Sequence, residues 1–296
     1  MLTSIAFAFA AAVSWGTSDF LGGQTTRGTP VSLVLAISQS CGFVICLAAL
    51  LCGGVSMPTG WPLIESVFAG LAAVVALGLL YVALTFGKSI VAAPLAASGA
   101  VIPVAAGIAH GDRVNSTAVI AIVVMLAGVM GVSSSPGCEE SSADEKPRWL
   151  IVIFSVGAAA ATGIYLTLIG AASRAADPIG VITALKLSAA ATAIVAGWVM
   201  RAARSRRHGA GVLPAPLRGI TMGGILAVGV SDAGAEILYA YASHAGNLTV
   251  ASVVANLYPA FTILLSIVVL RERIRPFQGA AATAALIGVL LLASQY

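Results

Sequence analysis

Residues 133–148 read SSSPGCEESSADEKPR. They are the most polar stretch of a 296-residue chain that is otherwise 59% hydrophobic and 9% charged, with a mean hydropathy of +1.02. Working outward from this stretch, five apolar segments lie on each side of it. They run at about 2–22, 31–52, 63–86, 90–110 and 114–133, then 149–171, 178–200, 219–243, 248–270 and 276–294. A membrane-spanning helix needs ~20 apolar residues, so each segment is long enough for one. A soluble domain carries about 25% charged residues. A chain with so few charges cannot cover a folded surface in water, and it is too apolar to be disordered. The fold class expected is an all-α integral membrane protein of ten transmembrane helices.

The loops agree with this reading. Gly28-Thr29-Pro30 separates the first two segments, and Met57 to Pro62 separates the next pair. A basic run, Arg201 to Arg218, is expected as a loop after the seventh segment. Loops that follow odd-numbered segments carry twelve Lys and Arg, and the opposite side carries Arg113 and Arg174 alone. By the positive-inside rule both termini lie on the non-cytoplasmic side. The net charge of +4 is therefore topological, and no nucleic-acid partner is expected. The first segment lacks a basic leader and is read as a retained helix. Cys41, Cys46, Cys52 and Cys138 show no metal-ligand or disulfide spacing and are expected as free thiols.

The two halves repeat. Gly16, Gly23 and Arg27 match Gly163, Gly170 and Arg174 at an offset of 147. Tyr81 matches Tyr239 at 158, while Asp112-Arg113 matches Glu272-Arg273 at 160. Residues 1–135 form a first repeat, 136–148 a polar linker and 149–296 a second repeat. Five helices per repeat is an odd number, so the second copy must enter the membrane inverted. Inverted repeats with a site at their interface are a transporter architecture.

Certain residues carry a resemblance to a family. They are Trp15-Gly16, Gly111-Asp112-Arg113, Leu257-Tyr258-Pro259, Glu272-Arg273, Gly279-Ala280 and Gly288. On these the chain resembles the EamA-like branch of the drug/metabolite transporter superfamily, and the run Ser18 to Gly23 is similar to bacterial members. The resemblance implies a bacterial plasma (inner) membrane location and a transport function, with export favoured. It does not give the substrate. Many members carry Arg in the second helix where this chain has Gln39, and Asp112 is shorter than the usual Glu.

Ionisable groups in a membrane helix cost at least ~2.5–3.5 kcal/mol each on insertion scales, so they point to function. Asp19, Lys186, Asp232 and Glu236 are the clear cases. In the eighth segment, Asp232, Glu236, Tyr239 and Ser243 form one helical stripe. In the ninth, Thr249, Ser252, Asn256 and Pro259 form another. Depth along the helices, at 1.5 Å per residue, sets Lys186 level with the gap between Asp232 and Glu236. The cluster is either a structural ion pair or a substrate-binding and coupling site. As a site it would hold an amino-acid-like molecule, with the carboxylate on Lys186 and the ammonium on Glu236 or Asp232, or exchange a proton. Gln39 is the first-repeat counterpart of Lys186. Asp19 lies ~10 Å from the middle of its helix, toward the other side. It either lines the cytoplasmic entrance with Trp15 or caps the helix end near headgroups. Tyr239 is either a packing residue or a substrate contact. Pro94, Pro103 and Pro259 are expected to kink their helices at related places in the two repeats. Gly219 and Gly223 are expected to offer a small packing face.

The expected function is a secondary transporter of a small polar metabolite by alternating access. Multidrug or cationic drug efflux, and import, stand as alternatives. An enzyme is not expected: His110, His208 and His244 lie at segment ends or in loops, and no nucleophile–base or metal motif occupies a segment. No cofactor or metal is expected, no ATP-binding loop is present, and the chain is read as a monomer or homodimer.

Overall fold

The structure, a computed structural model, describes residues 2–86, 99, 101–109, 111, 148–208 and 219–270, with single positions between 116 and 128 and between 277 and 291. The fifth and tenth expected segments, most of the fourth, Pro94 and the linker 136–148 lie outside the described residues, except for isolated positions.

The described helices are α1 (Leu2–Thr26), α2 (Val31–Gly53), α3 (Trp61–Phe86), α4 (Val101–Ala109), α5 (Arg148–Ala175), α6 (Pro178–His208), α7 (Gly219–Ala245), α8 (Leu248–Ala255) and α9 (Tyr258–Leu270). Six of them are long and apolar enough to cross a membrane: α1, α2, α3, α5, α6 and α7. Their outward faces are apolar, with Leu51, Trp61, Phe68 and Trp198 among the exposed side chains. Their inward faces carry the polar residues. This arrangement suits a lipid solvent, which dissolves apolar groups and rejects charges.

Three sequence expectations change. First, α1 continues four residues past the expected end at Gly22. The threonines there close their own turn, with Thr25 Oγ1 donating to the Leu21 carbonyl at 3.0 Å and Thr26 Oγ1 to the Gly22 carbonyl at 2.8 Å. Second, the basic run begins as helix, because α6 extends to His208 and Arg and Ala are good helix formers. Third, the ninth segment is not one kinked helix. It breaks between α8 and α9, where Asn256 N–H bonds the Ser252 carbonyl at 3.1 Å and Leu257 N–H the Val254 carbonyl at 3.1 Å. Pro259 then falls in the first turn of α9, where a missing N–H leaves no bond unmade. Pro103 is the third residue of α4.

Packing runs mainly between the halves. The helix α1 lies along α7 and against α8 and α9, α3 lies along α5 and α6, and α2 lies against α6 and α7. Helices α1 and α7 are antiparallel, since Ser4, Ser14 and Ser18 hydroxyls reach the carbonyls of Ala242, Ser231 and Val228. Helices α2 and α6 are antiparallel too. Gln39 meets Lys186, and further along α2 the Cys46 carbonyl accepts from Thr183 Oγ1 at 3.2 Å.

Glycines permit these approaches, and they do so in corresponding places. A Cβ added at Gly16 would stand 2.8 Å from the Tyr258 carbonyl oxygen, and one added at Gly163 would stand 2.6 Å from that of Gly99. Likewise a Cβ at Gly70 would strike the Leu185 carbonyl, and one at Gly229 would stand 2.5 Å from that of Ser38. Gly16 with Gly163 and Ser38 with Leu185 are 147 residues apart, while Gly99 with Tyr258 and Gly70 with Gly229 are 159 apart, one residue from the offset of the paired tyrosines. Gly223, expected on a packing face, has open space around it. The close approaches on α7 are at Gly224 and Gly229.

Gly229→Val should therefore lose about 1–3 kcal/mol through overpacking, read as a lower thermal midpoint of the detergent-purified protein. Gly223→Ala should leave the midpoint unchanged or raise it. Equal midpoints for the Gly229 variant and the native chain would mean that α2 and α7 do not pack this closely.

Candidate functional site

Lys186 lies in the middle of the bundle and is fully buried. Helix α6 directs its side chain toward α2 and α7, where Gly42 and Ala233 leave room for its stem. A Cβ on Gly42 would stand 3.2 Å from both Cδ and Cε of the lysine. The ammonium has three N–H donors and three acceptors around it. Nζ is 2.6 Å from Asp232 Oδ2, 3.0 Å from Glu236 Oε1 and 2.9 Å from Gln39 Oε1. Gln39 Nε2 then donates to Asp232 Oδ2 at 2.9 Å, which closes a ring across the seam between the halves.

Tyr165 on α5 donates its hydroxyl to Glu236 Oε1 at 3.0 Å. The second carboxylate oxygen, Oε2, is buried without a hydrogen-bond partner among the described residues. The cluster thus sets one lysine against two carboxylates.

Beside the ring is a cavity whose lining includes Trp15, Asp19, Tyr165, Asp232, Asn256 and Tyr258. Asp232 belongs to both, bonding Lys186 and lining the cavity. Lys186 does not line it. A substrate carboxylate would therefore reach the ammonium only if one of its three bonds opened. Asp19 does not cap a helix end. Because α1 runs to Thr26, this residue sits within the helix and opens onto the same cavity as Asp232. Trp15, one turn away, packs against Tyr165, Tyr239 and Tyr258 with ring centroids at 6.2, 5.6 and 6.5 Å.

Tyr239 turns away from the charges. Its hydroxyl lies 2.7 Å from Ser252 Oγ and 3.2 Å from the Leu166 carbonyl, so it ties α7 to α8 and α5. Asn256, at the break after α8, donates from Nδ2 to the Ser252 carbonyl at 2.9 Å, and its Oδ1 has no partner among the described residues. Its repeat-mate region, including Pro94, lies outside the described residues. Tyr165 and Tyr258 were not singled out as site residues by the sequence. The available signal was a tyrosine hydroxyl within an otherwise apolar segment, which needs a buried partner.

Gln39→Leu should remove one acceptor from Lys186 and one donor from Asp232 together. The expected cost is about 1–3 kcal/mol, read as a lower thermal midpoint. An unchanged midpoint would show that the ring does not close through Gln39.

A solved structure described as "Crystal structure of protein" is similar over 97% of this chain and 95% of its own, with a TM-score of 0.76 and 19% sequence identity. That likeness is one of fold. None of the curated proteins matches the chain. The EamA-like transporter family matches residues 2–134 and again residues 149–294. Two copies of this unit, built around a buried charge cluster and a cavity in a multi-pass membrane bundle, place the chain in the EamA-like transporter family, a family of transporters and not of enzymes.

Proposed function

We propose that the chain is a secondary transporter that moves a small polar, amine-bearing metabolite by alternating access between two inverted five-helix repeats, residues 1–135 and 149–296. The observation that carries this reading is the ring of Lys186, Asp232, Glu236 and Gln39. It joins α2 to α6 and α7 across the seam and adjoins the cavity through Asp232. Antiparallel crossing of the repeat mates α2 and α6 supports the inversion, as do the paired glycine contacts. The break at Asn256 also supports it, since interrupted helices in such bundles accompany binding sites.

The location is the plasma membrane of a bacterium, with both termini outside the cytoplasm and residues 136–148 linking the repeats. Export is the favoured direction by analogy with the family. No ATP-binding loop is needed. A cluster with a surplus carboxylate can hold a proton when substrate is absent and release it when a cation arrives, which would couple the two movements. An amino-acid-like substrate stays within this class, with its ammonium toward the carboxylates. Movement of drug cations is the second reading, because the cavity combines aromatic rings with acidic groups.

Paired metabolite profiling of cells and medium tests the proposal, comparing the native chain with Lys186→Met at matched amounts of folded protein. A compound that moves into the medium with the native chain, falls at least tenfold in the variant and stops moving when a protonophore is added is the expected result. Net movement equal in native and variant cells would remove the cluster from the mechanism.

A further inference from the structure

We infer that the cavity beside the lysine ring is a subsite for an organic ammonium group, held by Asp19, Asp232 and Asn256 against the rings of Trp15, Tyr165 and Tyr258. The inference deepens the transport reading and rests on it for its physiological meaning, though the binding itself is separable.

The polar groups that face the cavity determine what fits. Asp19 and Asp232 are carboxylates from two different helices, α1 and α7. The Asn256 side chain is wholly buried, and its orientation is fixed by its own hydrogen bond. Since Nδ2 is used on the Ser252 carbonyl, the oxygen Oδ1 is the atom left without a partner among the described residues. A buried acceptor in that state calls for a donor that these residues do not supply. All three groups therefore accept hydrogen bonds.

The one buried lysine nearby does not answer them. Its three donors are taken, by Gln39, Asp232 and Glu236, and it lies outside the cavity lining. Among the described residues no basic side chain forms an ion pair with Asp19. A ligand with several N–H donors and a positive charge meets these demands together. A carboxylate or phosphate meets none of them.

The aromatic walls agree. Trp15 has Tyr165 and Tyr258 around it, with ring centroids at 6.2 and 6.5 Å. Ring faces attract an ammonium within ~6 Å, more strongly where water is excluded. Tyr165 also bonds Glu236, so the wall of the subsite is tied to the lysine ring. An ammonium that settles on Asp232 competes with Lys186 for that carboxylate. Gln39 of the first half also donates to Asp232, so occupancy of the cavity would loosen a bond that joins the two halves and give the ligand a means to shift the equilibrium between them.

The probes are phenethylammonium, its uncharged analogue 2-phenylethanol and its anionic analogue 3-phenylpropanoate, each added to the purified native chain. The readouts are the thermal midpoint and the quenching of intrinsic tryptophan fluorescence. Only the ammonium should raise the midpoint and quench the signal. Its affinity should fall about tenfold or more in Asp19→Asn and again in Asn256→Leu, consistent with the loss of a charge-assisted hydrogen bond. No response to the ammonium at millimolar concentration overturns the inference. Equal responses to all three probes, or unchanged affinity in both variants, do the same. Flux of the same amine into proteoliposomes separates this from the transport reading. Binding with no flux in the native chain counts against transport and leaves the subsite. Amine flux that both variants leave intact counts against the subsite and leaves transport.

Discussion

A buried ammonium has to be neutralised where it stands, because several kcal/mol of hydration are lost when a charge leaves water. Lys186 meets that constraint with partners drawn from both halves of the chain: Gln39 from the first repeat, and Asp232 and Glu236 from the second. The rest of the bundle follows from bringing those groups together. Helices α2, α6 and α7 must approach closely, and the small residues Gly42, Ala233 and Gly229 let them do so. Lipid provides little hydrophobic drive for helices to associate, so close packing of small residues and the hydrogen bonds they allow carry much of the association.

The same constraint explains why the cavity lies where it does. A charged ring out of water is costly unless its charges are paired, and here Glu236 Oε2 is left without a partner among the described residues. Asp232 is the one member that also lines the cavity, so a ligand held there would meet the lysine at a single carboxylate. Tyr165, itself part of the cavity wall, bonds the same Glu236 oxygen that faces the lysine. The break between α8 and α9 places Asn256 at the cavity and lets Pro259 start a new helix instead of straining an old one. The cavity lining and the inter-repeat packing thus share Asp232.

Much of this was legible in the sequence for physical reasons. Apolar runs of spanning length have no other stable solvent, and the duplication was visible in paired residues such as Gly16 and Gly163, both of which make close backbone contacts. The stripe of Asp232 and Glu236 had to face inward, and helix rise alone set Lys186 between them. What failed to show was geometry that depends on partners. Gly22-Gly23 looked like a helix end, although α1 runs on to Thr26, which brings Asp19 about 3 Å nearer the middle of its helix than expected. Tyr239 could be read as a packing residue or a substrate contact, and only the fold shows that its hydroxyl meets Ser252 and the Leu166 carbonyl. Tyr165 was overlooked because nothing in its own segment reveals that Glu236 lies opposite.

The central claim is that Lys186 and the two carboxylates form one electrostatic unit. A thermodynamic cycle tests it most directly, using thermal and denaturant unfolding of the purified native chain, Lys186→Met, and the triple variant Lys186→Met with Asp232→Asn and Glu236→Gln. Removing the lysine alone should cost about 3–5 kcal/mol, since it strands two buried carboxylates. Neutralising all three should recover most of that loss. A single variant that unfolds like the native chain, or a triple variant less stable than the single one, would contradict the account.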